Sequence, residues 1–238
     1  MKLPEGMNTS SPTFIDSTAA SPPEAAPEII YYSKLLKSSQ KYYHPGQIKQ
    51  VIDVGCRNWS YVDTFARSFP NANLVGIELD GLRRYWNLYR RIDYARAYAK
   101  ELQKLGREAE AHLGDFLTLP LQLKPAPTLF SFLFPFVSDN PCLKWGVPKR
   151  YSNFSKMIER SLSLAEQWSL PNAYCLSVHQ GEWEADIARA AYQKLGLKMN
   201  ETVLSPEEWA GIWPSPYENW IFVGDLVSIR SHPKKYLA

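Results

Sequence analysis

Short β-branched or aromatic runs alternate with stretches of helical period through most of the chain. Such a chain is restricted to a largely parallel sheet covered by helices on both faces. QVIDVG, residues 50–55, reads as a buried strand ending in glycine. Val62, Phe65, Ala66 and Phe69 then lie on one helical face, and Pro70-Asn71 stops that helix. NLVGIELD is a second strand, followed by a long helix over about 82–105, whose inward stripe is Leu88, Ile92, Ala95, Ala99 and Leu102. AEAHLGD and TLFSFLF supply a third and a fourth strand, and Phe154, Met157, Ile158, Leu162 and Ala165 mark another helix. AYCLSV is a fifth strand, with a helix over 182–195 behind it. The chain closes on two extended runs, LKMNETVL and NWIFVGDLVSI, with no helix-length pattern between them, so these two pair antiparallel.

The 238 residues suffice for one sizeable core, and the 45% hydrophobic and 21% charged fractions are ordinary for a globular protein. Residues 1–27 are rich in Pro, Ser, Thr and Ala, bury too little to offset chain entropy, and are expected to be a disordered tail. A single domain over 28–238 follows, its first part (28–47) a helix and linker in which Ile29, Tyr32, Leu36 and Tyr43 share a face before Pro45-Gly46. No run reaches the roughly 18 apolar residues of a membrane span, and the N-terminus lacks a secretory pattern. Cys56, Cys142 and Cys175 share no ligand spacing, and the four histidines complete no metal site with them. A cytoplasmic protein with reduced thiols and no metal is the expectation.

In doubly wound sheets ligands bind beyond the carboxyl ends of the strands, where strand order reverses. After the first strand stand Asp53, Gly55, Cys56, Arg57 and Trp59; after the second Glu78, Leu79 and Asp80. After the third come Gly114, Asp115 and Phe116, and after the fourth Phe134, Pro135 and Phe136. Glycine at a strand-to-helix turn admits close backbone approach. A carboxylate ending the second strand can accept both hydroxyls of a ribose, and one beside an aromatic can bond an exocyclic amine while the ring stacks on a base. The nicotinamide dinucleotide fingerprint, G-x-G-x-x-G, is absent.

VIDVGCRNWSYVDTFARSFPNANLVGIELD resembles the first two motifs of class I S-adenosylmethionine-dependent methyltransferases, and HLGDFLTLP resembles their third-strand motif. The resemblance runs through motifs from about residue 50 to 120, and beyond that through element order alone. It implies a Rossmann-like, doubly wound α/β fold: a seven-stranded, mostly parallel sheet with an antiparallel last strand. It implies S-adenosyl-L-methionine as cofactor, with Gly55, Cys56 and Arg57 at the methionine moiety, Glu78 and Leu79 at the ribose, and Asp115 with Phe116 at the adenine. Asp53 would orient the loop. Arg57 and Trp59 stand where the family carries glycines. Two readings stay open: Arg57 pairs with the methionine carboxylate, or the pocket is closed and the fold has become a non-catalytic interaction module.

The acceptor is less legible. The segment FPFVSDNPCLKWGVPKRYSNF slightly resembles the fourth-strand region of bacterial tRNA guanine-N7 methyltransferases in Phe134-Pro135 and Lys149-Arg150, but not elsewhere. Between Arg83 and Arg107 eight basic residues face only Asp93 and Glu101, with Trp86 and tyrosines interleaved. Such a stripe attracts phosphates. RNA is therefore the expected acceptor, held by Arg83, Arg90, Arg91 and Lys104 on the outside of the long helix; a protein or small molecule is the alternative. Catalytic residues are unassigned, with Asp139, Asn140 and His179 as candidate proton acceptors. Trp145, Trp183, Trp209, Trp213, Tyr217 and Trp220 cluster late in the chain, as loop stacking groups or core.

Overall fold

The computed structural model describes residues 25–85, 88–209 and 217–227. Helix α1 (Ala25–Ser39) leads through short helical turns to β1 (Gln50–Val54), α2 (Val62–Ser68) and β2 (Asn73–Glu78). Then come α3 (Arg91–Lys104), β3 (Ala109–Leu113), β4 (Thr128–Leu133), α4 (Asp139–Trp145), α5 (Phe154–Gln167), β5 (Ala173–Gln180), α6 (Gly181–Lys194), β6 (Met199–Leu204) and β7 (Asn219–Asp225). One seven-stranded sheet has the order β3-β2-β1-β4-β5-β7-β6. β7 inserts antiparallel between β5 and β6, and the other neighbouring pairs are parallel. A strand that follows its predecessor without a crossover helix must run back along it, which reverses β7.

Successive side chains on a strand point to opposite faces, so one apolar run feeds two cores. Val51, Leu74 and Leu129 pack with α1, α2 and α3 through Tyr31, Phe65 and Ile92. Their chain neighbours Ile52, Val75 and Phe130 pack on the other face with α5 and α6 through Phe154, Ile158 and Ala188. The order reverses at β1, which has β2 on one side and β4 on the other.

Three expectations need correction. The helix expected over 82–105 begins only at Arg91: Arg84 and Arg90 form an antiparallel bridge, and Tyr85 N–H donates to the Tyr89 carbonyl at 2.9 Å. Asp93 then accepts the Arg90 backbone N–H at 2.9 Å and so starts the helix. Leu88, assigned to the inward stripe, is 70% exposed with φ 70, while Ile92, Ala95, Ala99 and Leu102 are buried. Helix α1 starts at Ala25, inside the stretch expected to be disordered; residues 1–24 lie outside the described residues, as do Trp86 and Trp213. The short α4 had no sequence signal long enough to read.

Gly76 in β2 is required by packing. A Cβ there would lie 3.0 Å from the Cys56 Sγ and from the Trp59 ring. Gly76→Ala should therefore destabilise the protein by about 1–3 kcal/mol, read as a lower midpoint in urea unfolding.

Candidate functional site

The reversal of strand order at β1 opens a cavity of about 310 Å³ beyond the carboxyl ends of β1, β2 and β4, within the range of small-ligand sites. Gly55, Arg57, Glu78, Leu79 and Phe116, all singled out from sequence, line it. Phe134, Pro135 and Phe136 form its β4 side. Gly55 has φ 81, a left-handed conformation that favours glycine.

Glu78 organises the charged side. Its carboxylate is 5% exposed and accepts the backbone N–H of Arg57 and of Asp80, each at 2.7 Å. Burial raises its pKa above the usual carboxylate value, while those two hydrogen bonds and the nearby Arg91 pull the other way. Asp80 also lines the cavity; it bonds Arg83 and takes Arg91 Nη1 at 3.2 Å. The wall thus carries Arg57 and Arg91 beside Glu78 and Asp80.

Two of the singled-out residues are placed elsewhere. Cys56 is fully buried with its Sγ against Gly76, and burial, with the charges of Asp53 and Glu78, pushes its thiol well up. Asp115 turns away toward the 149–152 turn. It accepts hydrogen bonds from the Arg150 guanidinium, the Tyr151 hydroxyl and, at 2.8 Å, the Leu117 backbone N–H. Burial alone would raise its pKa, but these donors hold it below the usual range. With its lone pairs so engaged, Asp115 has little capacity left for an exocyclic amine. Sequence reasoning did not place Tyr32, Val147, Tyr151 or Met157 at the cavity and read Arg91 as outward, yet all five line it. The helical spacing of Tyr32 was visible; that α1 lies over the end of the sheet was not.

The candidate proton acceptors do not line the cavity. His179 is fully buried between Phe154 and Phe222, with Nε2 3.0 Å from Ser177 Oγ, and burial lowers its pKa to about 3. It is a neutral core residue. Asp139 is exposed and accepts Ser152 Oγ at 2.7 Å and pairs with Lys149 at 3.3 Å; Asn140 is exposed beside it. Among the described residues no group of His, Cys, Asp and Glu suits a metal ion, and no helix is long and apolar enough to cross a membrane.

Trp59 does not fill the cavity. Its ring is buried beneath β2, 1% exposed, and its Nε1 donates to Asp53 Oδ2 at 3.0 Å; Tyr61 OH donates to the same oxygen at 2.9 Å.

Known structures agree with this architecture. The cyclase SpnF superposes with a TM-score of 0.56 at 11% identity, over 88% of this chain and 84% of that one. The delta-N METTL16 methyltransferase domain gives 0.51 at 11%, over 84% and 83%. A putative class I S-adenosylmethionine-dependent methyltransferase from Listeria monocytogenes gives 0.50 at 11%, over 84% and 59%. No protein-family model and no curated protein matches the chain. The fold is that of class I S-adenosylmethionine-dependent methyltransferases.

Asp53 is 1% exposed, and burial raises its pKa to about 7 against the pull of Tyr61, Ser131 and Trp59. A carboxyl whose folded pKa lies above its unfolded value of 3.8 holds its proton more tightly when folded. Its stabilising contribution is present at low pH and is lost as pH rises toward 7. His179 acts oppositely in the same range, so the informative quantity is a difference. Between pH 4.5 and 7.5 wild type should lose stability relative to Asp53→Asn, as measured by urea unfolding at each pH.

Proposed function

We propose that the cavity binds S-adenosyl-L-methionine and that the protein is a methyltransferase. The observation that carries this reading is a buried carboxylate, Glu78, ending β2 in a cavity at the switch point, beside the turn after β1. The donor set suits the group. Glu78 retains acceptor capacity for ribose hydroxyls, and Arg57 and Arg91 on the same wall are suited to a carboxylate. Leu79, Ile77 and Phe116 offer apolar surface to a base. The bound cofactor would supply an electrophilic methyl group on a sulfonium. The chain's own part is alignment and exclusion of water, for which the apolar side formed by Phe134, Pro135 and Phe136 is suited. The rival reading of a closed, non-catalytic pocket is disfavoured because Trp59, one of the two residues that suggested it, packs beneath the sheet.

RNA is the proposed acceptor, on narrower support than the sequence offered. Much of the basic stripe is engaged within the protein: Arg83 and Arg91 with Asp80, Arg90 with Asp93, Lys104 with Glu101. Arg91 is mostly buried rather than outward, and Arg107 donates to the carbonyls of Ala66 and Phe69. Arg84, Arg96 and Lys100 are exposed, Arg96 with its Nε also donating to the Ala111 carbonyl at 3.4 Å. Replacing these three by Ala should weaken binding of bulk tRNA and flatten its salt dependence in gel-shift titrations. Salt-independent binding, or none, by the wild type would turn the acceptor toward a protein or a small molecule.

Isothermal titration with S-adenosylhomocysteine tests the cofactor directly. Wild type should bind. Glu78→Ala should bind at least tenfold more weakly, since loss of a charged acceptor costs roughly 1.5–3 kcal/mol. Absence of heat with both S-adenosylmethionine and S-adenosylhomocysteine would contradict the reading.

A further inference from the structure

Glycine-bearing turns reach left-handed angles at no steric cost; the turn after β1 does so at Gly55, but at two further positions it reaches them without that freedom. Arg57 has φ 55 and Trp59 has φ 57. Left-handed backbone at a residue other than glycine is strained, and it persists only where surrounding contacts over-determine it. Those contacts converge on one carboxylate. Asp53 Oδ2 accepts both the indole N–H of Trp59 and the hydroxyl of Tyr61. Ser131, its register partner on β4, adds to the pull on this carboxylate. The Trp59 ring is seated on Gly76, where no side chain fits beneath it. The Tyr61 ring stacks on Tyr32 with centroids 4.1 Å apart and planes 22° apart, and Tyr32 is itself a wall of the cavity. Between these anchors lies the Arg57 backbone N–H, aimed at Glu78 Oε2.

We infer that Trp59 and Tyr61, clasped by Asp53, are positioning residues that set where the Arg57 backbone and the Glu78 carboxylate stand in the cavity. They do by side-chain hydrogen bonding what glycines do elsewhere by conformational freedom. This rests on the cavity being the cofactor site. Neither side chain need touch the ligand. Trp59 acts through the backbone two residues before it, and Tyr61 acts both through the turn and through Tyr32.

Trp59→Phe and Tyr61→Phe each remove one donor to Asp53 and keep a ring in place. Three readouts are taken on the full chain: S-adenosylhomocysteine affinity by calorimetry, the ¹⁵N–¹H resonance of the Arg57 amide, and the melting temperature. Each variant should bind about five- to tenfold more weakly, the equivalent of one lost hydrogen bond. Each should also shift the Arg57 amide resonance. Val223→Ala, in β7 away from the turn, is the control: its melting temperature should fall while affinity and the Arg57 resonance stay at wild-type values. Wild-type affinity and an unmoved Arg57 resonance in both phenylalanine variants would overturn the inference. So would an equal affinity loss in the Val223→Ala control, because the effect would then follow stability alone. Should Trp59→Phe fail to fold, Tyr61→Phe carries the same three readouts. A wild-type protein that binds no S-adenosylhomocysteine would defeat the cofactor reading, while the Arg57 resonance still decides whether the clasp exists.

Discussion

The Glu78 carboxylate, accepting the backbone N–H of Arg57 from one side and of Asp80 from the other, is the contact on which the site depends. It joins the turn after β1 to the turn after β2 at the place where strand order reverses. A buried carboxylate is costly unless its lone pairs are met, and two backbone donors meet that demand while leaving acceptor capacity toward the cavity. Asp80 extends the arrangement by binding Arg83 and Arg91, so that Arg57 and Arg91 stand against Glu78 and Asp80 on the cavity wall.

Much of this was legible before the structure. The alternation of strands and helices, the reversed strand and the helical cover on both faces follow from the period of the apolar residues and from the missing helix between the last two extended runs; the order of the strands within the sheet came from the structure. Glu78, Leu79 and Gly55 were legible as cavity residues because they stand at the carboxyl ends of the two strands beside the reversal of strand order. The misreading at the start of α3 has an identifiable source: the apolar and basic residues there fit a 3.6 period, but Arg83 and Arg91 both pair with Asp80, and Tyr85 sets its ring edge against Tyr94. Local periodicity carries no information about such partners.

Asp115 illustrates the same limit. Its position after β3 was read correctly, but its direction depends on Arg150 and Tyr151, 35 and 36 residues further along the chain. His179 stands at a strand's carboxyl end as well, and it is turned into the core between two phenylalanines. Position along a strand fixes which end of the sheet a residue serves; which face it joins depends on register and on what packs there. Trp59 and Arg57 looked like obstacles to a pocket from sequence alone, since both displace glycines. Their backbone nevertheless adopts the left-handed angles those glycines would have allowed.

The fold is shared by proteins of more than one named activity, SpnF among them, so fold alone does not define the reaction. The most direct measurement is therefore a crystal structure of the protein grown with S-adenosylhomocysteine. The account predicts nucleoside density in the cavity with ribose hydroxyls within hydrogen-bond distance of Glu78, the carboxylate end beside Arg57 or Arg91, and Trp59 unmoved beneath β2. Ligand density away from Glu78, or an empty cavity at saturating ligand, would contradict it.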